Sequence, residues 1–130
     1  MATYDNLPVY KASYDLLLDL FTACQNMERD FKFTIGENLK KEVIELIKNV
    51  YRANRHQEKS EYLAAGRENA EVIRLLLRIL RDLKQIKIET LVDLNEKLES
   101  ISKQLAAWQK KRDAPISQVE LFSEENRYEQ

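Results

Sequence analysis

The chain has 130 residues, of which 33% are charged and only two each are glycine and proline. This length fits one domain with its own core, and so few turn-forming residues argue against a fold of many short strands. The one cysteine excludes an internal disulfide framework and a zinc site built from cysteines. The formal net charge of −1 taken alone argues against binding to nucleic acid.

The N-terminal residues 1–8 lack the basic stretch followed by an apolar stretch that marks a signal peptide. No apolar run approaches the roughly 20 residues that a membrane-spanning helix needs. We therefore expect a cytoplasmic protein with no membrane partner.

The first helix is predicted over residues 8–26, since Pro8 suits the first turn of a helix. Its apolar residues recur at spacings of three and four, which predicts one buried helical face. The predicted face consists of Tyr10, Tyr14, Leu17, Phe21 and Cys24.

The second helix is predicted over residues 34–56. Thr34 and Glu37 have the spacing of a capping box, in which each side chain would bond to the other residue's backbone. The apolar stripe behind them consists of Leu39, Val43, Leu46, Ile47, Val50 and Tyr51.

The third and fourth helices are predicted over residues 60–85 and 89–111. The third has a broad apolar set around Leu75, Leu76 and Leu77, which fits a helix with neighbours on two sides. One of those neighbours could belong to another subunit, and the pattern leaves both readings open. The fourth has a narrow seam, as in a coiled coil, made of Leu91, Leu94, Leu98, Ile101, Leu105 and Trp108.

Four such helices joined by short connections predict an all-α fold, an up-down-up-down antiparallel four-helix bundle over residues 1–112. Residues 113–130 hold five acidic residues and one arginine, so residues 1–112 hold 20 basic and 17 acidic residues. We expect this acidic C-terminal tail to be flexible. The alternative is a short recognition segment that docks on a partner or a neighbouring subunit.

Catalytic and metal-binding groups are sparse in the sequence. His56 is the one histidine, and the Glu-x-x-His motif of di-iron bundles is absent. Cys24 lies on the predicted apolar face, which favours a buried structural thiol over a nucleophile. We therefore predict a protein that is not an enzyme, with no catalytic residue, no metal and no cofactor.

Two stripes of basic residues stand out on the second and third predicted helices. Both stripes have spacings of seven, four and three residues, which keep each set within about 40° of one line along its helix for about 21 Å. The candidate nucleic-acid-binding residues are Lys41, Lys48, Arg52 and Arg55 on one helix and Arg67, Arg74, Arg78 and Arg81 on the other. Such lines suit a phosphate backbone, although salt bridges between subunits or plain solubility would also account for them.

Several segments together resemble one bacterial family of four-helix bundles. They are Leu7–Lys11, Tyr14–Leu17, Phe33–Glu37, Ala53–Arg55, Leu75–Leu83 and Leu98–Trp108. The family contains the accessory variability determinant (Avd) proteins of diversity-generating retroelements and the small proteins encoded in intervening sequences of 23S ribosomal RNA genes. The resemblance covers roughly residues 6–110.

This resemblance implies a homo-oligomer, a pentamer, that binds the reverse transcriptase of the retroelement together with RNA or RNA–DNA. The protein would support mutagenic cDNA synthesis without being a polymerase itself. Arg74, Arg78 and Arg81 match the arginine-containing part of the family's third helix. The chain departs from the accessory proteins in its net charge, which keeps open an alternative: a bundle of the intervening-sequence type with a structural or protein-binding role.

Overall fold

The computed structural model describes residues 7–112, and the predicted acidic tail lies outside these residues. Four long helices and one short helix make up the fold. They are α1 (Pro8–Cys24), α2 (Arg29–Lys32), α3 (Ile35–Arg55), α4 (Ser60–Asp82) and α5 (Ile88–Arg112). The predicted all-α antiparallel four-helix bundle is confirmed. Among residues 7–112, no helix combines the length and the hydropathy that a membrane-spanning segment requires.

The four long helices stand at the corners of a square. α3 packs on α1 and α4, and α5 packs on α4 and α1, so each long helix contacts the next one along the chain and α5 contacts α1. Every long helix contributes fully buried aliphatic side chains, such as Leu16, Leu46, Leu77 and Leu98. Burial of these side chains on the shared axis is what holds the helices together.

The buried face of α1 differs from the predicted one. It consists of Val9, Ser13, Leu16, Leu20 and Cys24. Tyr14 and Phe21, predicted to be buried, are 45% and 48% exposed. The predicted and the observed buried faces differ by a shift of one residue. The polar Ser13 made the observed face look less apolar in the sequence, but its hydroxyl donates to the Val9 carbonyl at 2.7 Å, so this side chain can be buried.

The capping box predicted at the start of α3 is also wrong. The Thr34 hydroxyl donates to the Asp30 carbonyl at 2.5 Å, and Thr34 makes no side-chain capping bond to α3. The Glu37 carboxylate accepts from Lys40 at 3.3 Å. The reason is the short helix α2, which the sequence pattern did not reveal. Thr34 lies just after this helix, and its hydroxyl bonds to the Asp30 carbonyl of α2 instead of capping α3.

The end of α4 is set by a backbone motif. Lys84 has a positive φ of 59°, its N–H donates to the Arg81 carbonyl at 2.9 Å, and the Gln85 N–H donates to the Leu80 carbonyl at 2.8 Å. This pair of bonds, with a left-handed residue between them, is the Schellman motif. It ends α4 at Asp82, three residues before the predicted end.

Polar contacts fix how the helices are paired. Between α3 and α4, Asn49 donates to Asn69 at 2.7 Å, and Asn69 donates to Glu42 at 2.6 Å. Between α1 and α5, Lys97 pairs with Asp19 at 2.8 Å, and this hydrogen bond raises the pKa of Lys97. Both groups of contacts connect neighbouring corners of the square.

Candidate nucleic-acid interface

The first group of candidate residues, here called the basic α3 stripe, consists of Lys41, Lys48, Arg52 and Arg55. All four are exposed, on the side of α3 that faces away from its buried residues. At 1.5 Å per residue the stripe is about 21 Å long. The structure therefore places the four cations along one line of the protein surface.

Only part of the basic α3 stripe is engaged by neighbouring groups. Lys48 pairs with Glu45 at 3.1 Å, and both side chains are about half exposed. Arg55 donates to the Tyr51 hydroxyl at 3.5 Å and lies 5.8 Å from its ring centre. The Lys41 ammonium and the Arg52 guanidinium form no ion pair or hydrogen bond with the part of the chain that the structure describes.

Two apolar side chains flank this stripe. Ile44 is 37% exposed and Tyr51 is 38% exposed, although Tyr51 was predicted to belong to the buried face of its helix. A helix surface that alternates cations with an aromatic ring suits a nucleic-acid strand, because the cations attract phosphate and the ring offers a stacking surface for a base.

The second group, here called the α4 arginine stripe, lies beside α5. Arg67 donates to Gln109 of α5 at 2.7 Å. Arg74 pairs with Glu71 at 2.6 Å and with Glu99 of α5. Two of the four arginines in this stripe therefore hold α4 against α5.

The other two arginines of that stripe, Arg78 and Arg81, are exposed. Neither forms an ion pair within residues 7–112. They lie beyond Arg74 toward the C-terminal end of α4. The α4 arginine stripe is thus divided into an engaged half and an accessible half, a division that its regular spacing does not predict.

The two stripes do not share one face of the bundle. α4 meets α3 through Asn69, whereas its arginine stripe lies on the flank that meets α5. The basic α3 stripe points outward from its own corner of the square. Nucleic acid that touched both stripes would have to pass around the outer side of α4.

The lone cysteine and histidine are both accounted for by local contacts. Cys24 is fully buried, as its position on α1 predicted, and burial raises the pKa of its thiol. The His56 ring is 2.8 Å from the Arg52 carbonyl and packs on Tyr62. Within the described part of the chain, no group of three or more histidine, cysteine and acidic side chains could hold a metal ion.

An exposed apolar surface on α1 was missed because the sequence pattern assigned most of it to the core. We call it the apolar α1 face. Its members are Tyr14, Leu18 and Phe21, each between 45% and 49% exposed. A contiguous exposed apolar surface of this kind is typical of a protein–protein contact.

Comparison with known families places these features in context. The model of the bAvd-like family matches residues 9–112. The chain belongs to the bAvd-like family. In this bAvd-like protein the match runs from the first turn of α1 to the end of α5, so it includes both basic stripes and the apolar α1 face. No curated protein is similar enough to the chain to count as a relative.

Proposed function

We propose that this bAvd-like protein is a non-enzymatic accessory subunit of a diversity-generating retroelement. It binds the element's reverse transcriptase and RNA or RNA–DNA, and so supports mutagenic cDNA synthesis. Family membership supports the accessory role. The accessible basic α3 stripe is the single observation that carries the nucleic-acid part of the proposal.

Phosphate has few competitors along the basic α3 stripe. Lys41 and Arg52 have no acidic partner in the described residues, and Lys48 shares an exposed pair with Glu45 that is worth at most about 1 kcal/mol. A phosphate group can replace such a pair at little cost. Arg78 and Arg81 add a second, smaller phosphate contact on α4, whereas Arg67 and Arg74 would first have to leave their partners on α5.

The number of cations gives the expected dependence on salt. Each phosphate contact contributes about −0.7 to −0.9 to the slope of log affinity against log salt concentration, so the four cations of the basic α3 stripe predict a slope of about −3 per protomer. Contacts to phosphate carry no base information, so we expect weak sequence preference.

A charge-reversal experiment tests this proposal with a matched control. The variant carries Lys48→Glu and Arg52→Glu, and the control carries Lys87→Glu and Lys103→Glu, which change the net charge equally at exposed positions elsewhere. Filter binding to structured RNA and to an RNA–DNA hybrid should show at least a tenfold loss for the first variant and a much smaller loss for the control. Equal losses, or no binding by the unaltered protein at low salt with or without the polymerase, would contradict the proposal.

The homo-oligomer, proposed to be a pentamer, has a natural contact surface in the apolar α1 face. We expect Leu18→Glu to dissociate the oligomer in light scattering, because a charge cannot be buried at an apolar contact without a partner. Val92→Glu on α5 is the matched control, since Val92 is also exposed, at 50%. An oligomer unchanged by Leu18→Glu would exclude the apolar α1 face from the contact.

A second candidate is a bundle of the intervening-sequence type with a structural or protein-binding role. The ion pairs of Arg74 with Glu71 and Glu99 favour it, since they show arginines of α4 serving the packing of the bundle. In this case Arg78→Glu would change the oligomer in light scattering and leave RNA binding unaffected. In the retroelement role the same variant would weaken RNA binding and leave the oligomer intact.

A further inference from the structure

The acidic segment, residues 113–130, has a chemistry that complements one surface of the bundle. It holds Asp113, Glu120, Glu124, Glu125 and Glu129 against the single cation Arg127. It also holds four large apolar residues, Ile116, Val119, Leu121 and Phe122. A surface that binds this segment must therefore offer both cations and apolar side chains.

Helices α3 and α5 both end at the same end of the bundle. Lys59, in the connection between α3 and α4, donates to the carbonyls of Ala53 and His56 at 2.5 and 2.7 Å. The same ammonium lies 5.8 Å from the centre of the Trp108 ring on α5. Trp108 is about one turn before the end of α5 at Arg112, so residue 113 follows a helix end at the same end of the bundle as the last turn of α3, on the opposite corner of the square.

That end of α3 carries the surface that the acidic segment requires. Arg52 and Arg55 lie in the last turn of α3, and Lys48 is one turn earlier. The exposed side chains of Tyr51 and Ile44 lie along the same outer surface. Cations and apolar groups thus alternate along this surface, as acids and apolar groups do in the segment.

The other exposed surfaces fit the acidic segment less well. On α4, Arg74 already has two carboxylate partners, Glu71 and Glu99. On the apolar α1 face, the nearby Lys11 is paired with Asp15 at 3.0 Å. The basic α3 stripe combines apolar side chains with cations that have no acidic partner among residues 7–112, and it begins at the end of the bundle where α5 ends. Arg78 and Arg81 also have no ion pair there, but they lie toward the other end of the bundle.

The length of the segment is sufficient for this contact. An extended chain covers about 3.3–3.6 Å per residue, so residues 113–116 span roughly 14 Å, which is about the diagonal from α5 to α3 in a square whose neighbouring helix axes are about 10 Å apart. Residues 117–125 then have roughly 30 Å of reach along a stripe of about 21 Å. Glu120, Glu124 and Glu125 fall within this reach.

We propose that residues 113–130 bind along the basic α3 stripe of their own chain, with the glutamates on the cations and Ile116 and Phe122 against Tyr51 and Ile44. The contact itself depends only on this chain's charges and apolar side chains. Its consequence rests on the proposed function: the acidic segment covers the surface that phosphate would use and competes with nucleic acid for it.

Cross-linking of the full-length protein tests the contact directly. A carbodiimide joins a carboxylate to a lysine only when the two are in contact, and mass spectrometry identifies the pair. We expect Glu120, Glu124 or Glu125 to link to Lys41 or Lys48, and not to Lys84 or Lys87, which lie between α4 and α5 at the end of the bundle remote from Arg112. Links to all four lysines alike, or none to α3, would overturn the proposal.

A mixture of unlabelled and ¹⁵N-labelled protein identifies the chain that supplies the segment. Links within one isotope only are expected for a contact within one chain. Links between the two isotopes would overturn that part of the proposal and assign the contact to a neighbouring copy.

A second measurement follows the accessibility of the stripe. The variant carries Glu120→Gln, Glu124→Gln and Glu125→Gln. The control carries Glu61→Gln, Glu89→Gln and Glu96→Gln at exposed positions of the bundle. Each protein thereby loses three negative charges. We expect acetylation of Lys48 to become at least threefold faster in the first variant alone, with Lys84 unchanged in both. An unchanged Lys48 rate would overturn the proposal.

Nucleic-acid binding by the same variants separates this inference from the proposed function. At low salt the first variant should bind RNA about three- to tenfold more tightly than the control. If no variant binds RNA while the cross-links to α3 remain, the proposed function fails and the contact stands. If the cross-links are absent while RNA binding depends on Lys48 and Arg52, only the contact fails.

Discussion

Arg74→Ala and Arg78→Ala should separate the packing role of the α4 arginine stripe from its binding role. Arg74 loses an ion pair within α4 and another to Glu99 on α5. The Arg74 side chain is 36% exposed and its two partners are more exposed, so each pair is worth roughly 0.5 kcal/mol and the abandoned carboxylates are hydrated at little cost. We expect Arg74→Ala to lower the free energy of unfolding by about 1 kcal/mol, or the melting temperature by about 4 °C.

Arg78→Ala is the matched comparison one turn away. Arg78 is exposed and has no ion pair within the described residues, so its removal should change the free energy of unfolding by less than about 0.5 kcal/mol. Its effect on RNA affinity should exceed that of Arg74→Ala. Urea titrations followed by circular dichroism measure the first quantity, and filter binding measures the second.

A double-mutant cycle between Arg74 and Glu99 completes this test. The coupling energy should be about 0.5 kcal/mol and should fall at high salt, because both side chains are partly exposed. A coupling of zero, or an Arg78→Ala variant as destabilised as Arg74→Ala, would refute the division of the stripe into an engaged and an accessible half.

Three further predictions concern stability. Lys84→Gly should raise the free energy of unfolding by up to about 1 kcal/mol in urea titrations, because the positive φ of 59° strains a residue with a β-carbon; a loss of stability would contradict this. Gly66→Ala should raise the free energy of unfolding by about 1 kcal/mol, because Ala favours a helix and the added methyl group would lie at an ordinary 3.5 Å from Leu105. Destabilisation would show that this space cannot hold a methyl group. Burial raises the pKa of the Cys24 thiol, so above the ordinary thiol pKa of 9.0 only the unfolded chain releases the thiol proton. The free energy of unfolding should therefore fall as pH rises, by at most about 1.4 kcal/mol per pH unit. Cys24→Ala should remove this part of the pH dependence.

The sequence was sufficient to predict the buried face of a helix where no polar residue interrupts that face. On α5, the predicted seam from Leu91 to Leu105 is buried at every position. An apolar side chain every three or four residues has one consistent interpretation when polar residues fill the gaps. On α1 two such stripes lie side by side, and Ser13 in the true one made the wrong one the more apolar of the two.

The ends of the helices were harder to predict for a local reason. α2 has four residues, too few for a helical period to be visible. α4 ends in a motif that usually has glycine at the position of Lys84, so no sequence signal marked its last turn. The partners of Arg74 on α5 were also beyond prediction, because they depend on how α4 is rotated and shifted against α5, and the periodicity of one helix contains no such information.

The placement of the charges also bears on why a chain with a net charge of −1 can have a surface for phosphate. Binding of phosphate depends on what a cation exchanges when it binds, and the net charge does not describe that exchange. To bind phosphate, Arg74 would have to give up two carboxylate partners. Lys41 and Arg52 have no such partner among residues 7–112, so they would give up only water. Two of the acids that balance the chain, Glu71 and Glu99, are engaged by Arg74 on the flank of α4, and five more lie beyond Arg112. The lysine acetylation rates measure whether the acids beyond Arg112 also reach the basic α3 stripe. If these acids cover the stripe, the affinity for nucleic acid depends on displacing this chain's own carboxylates.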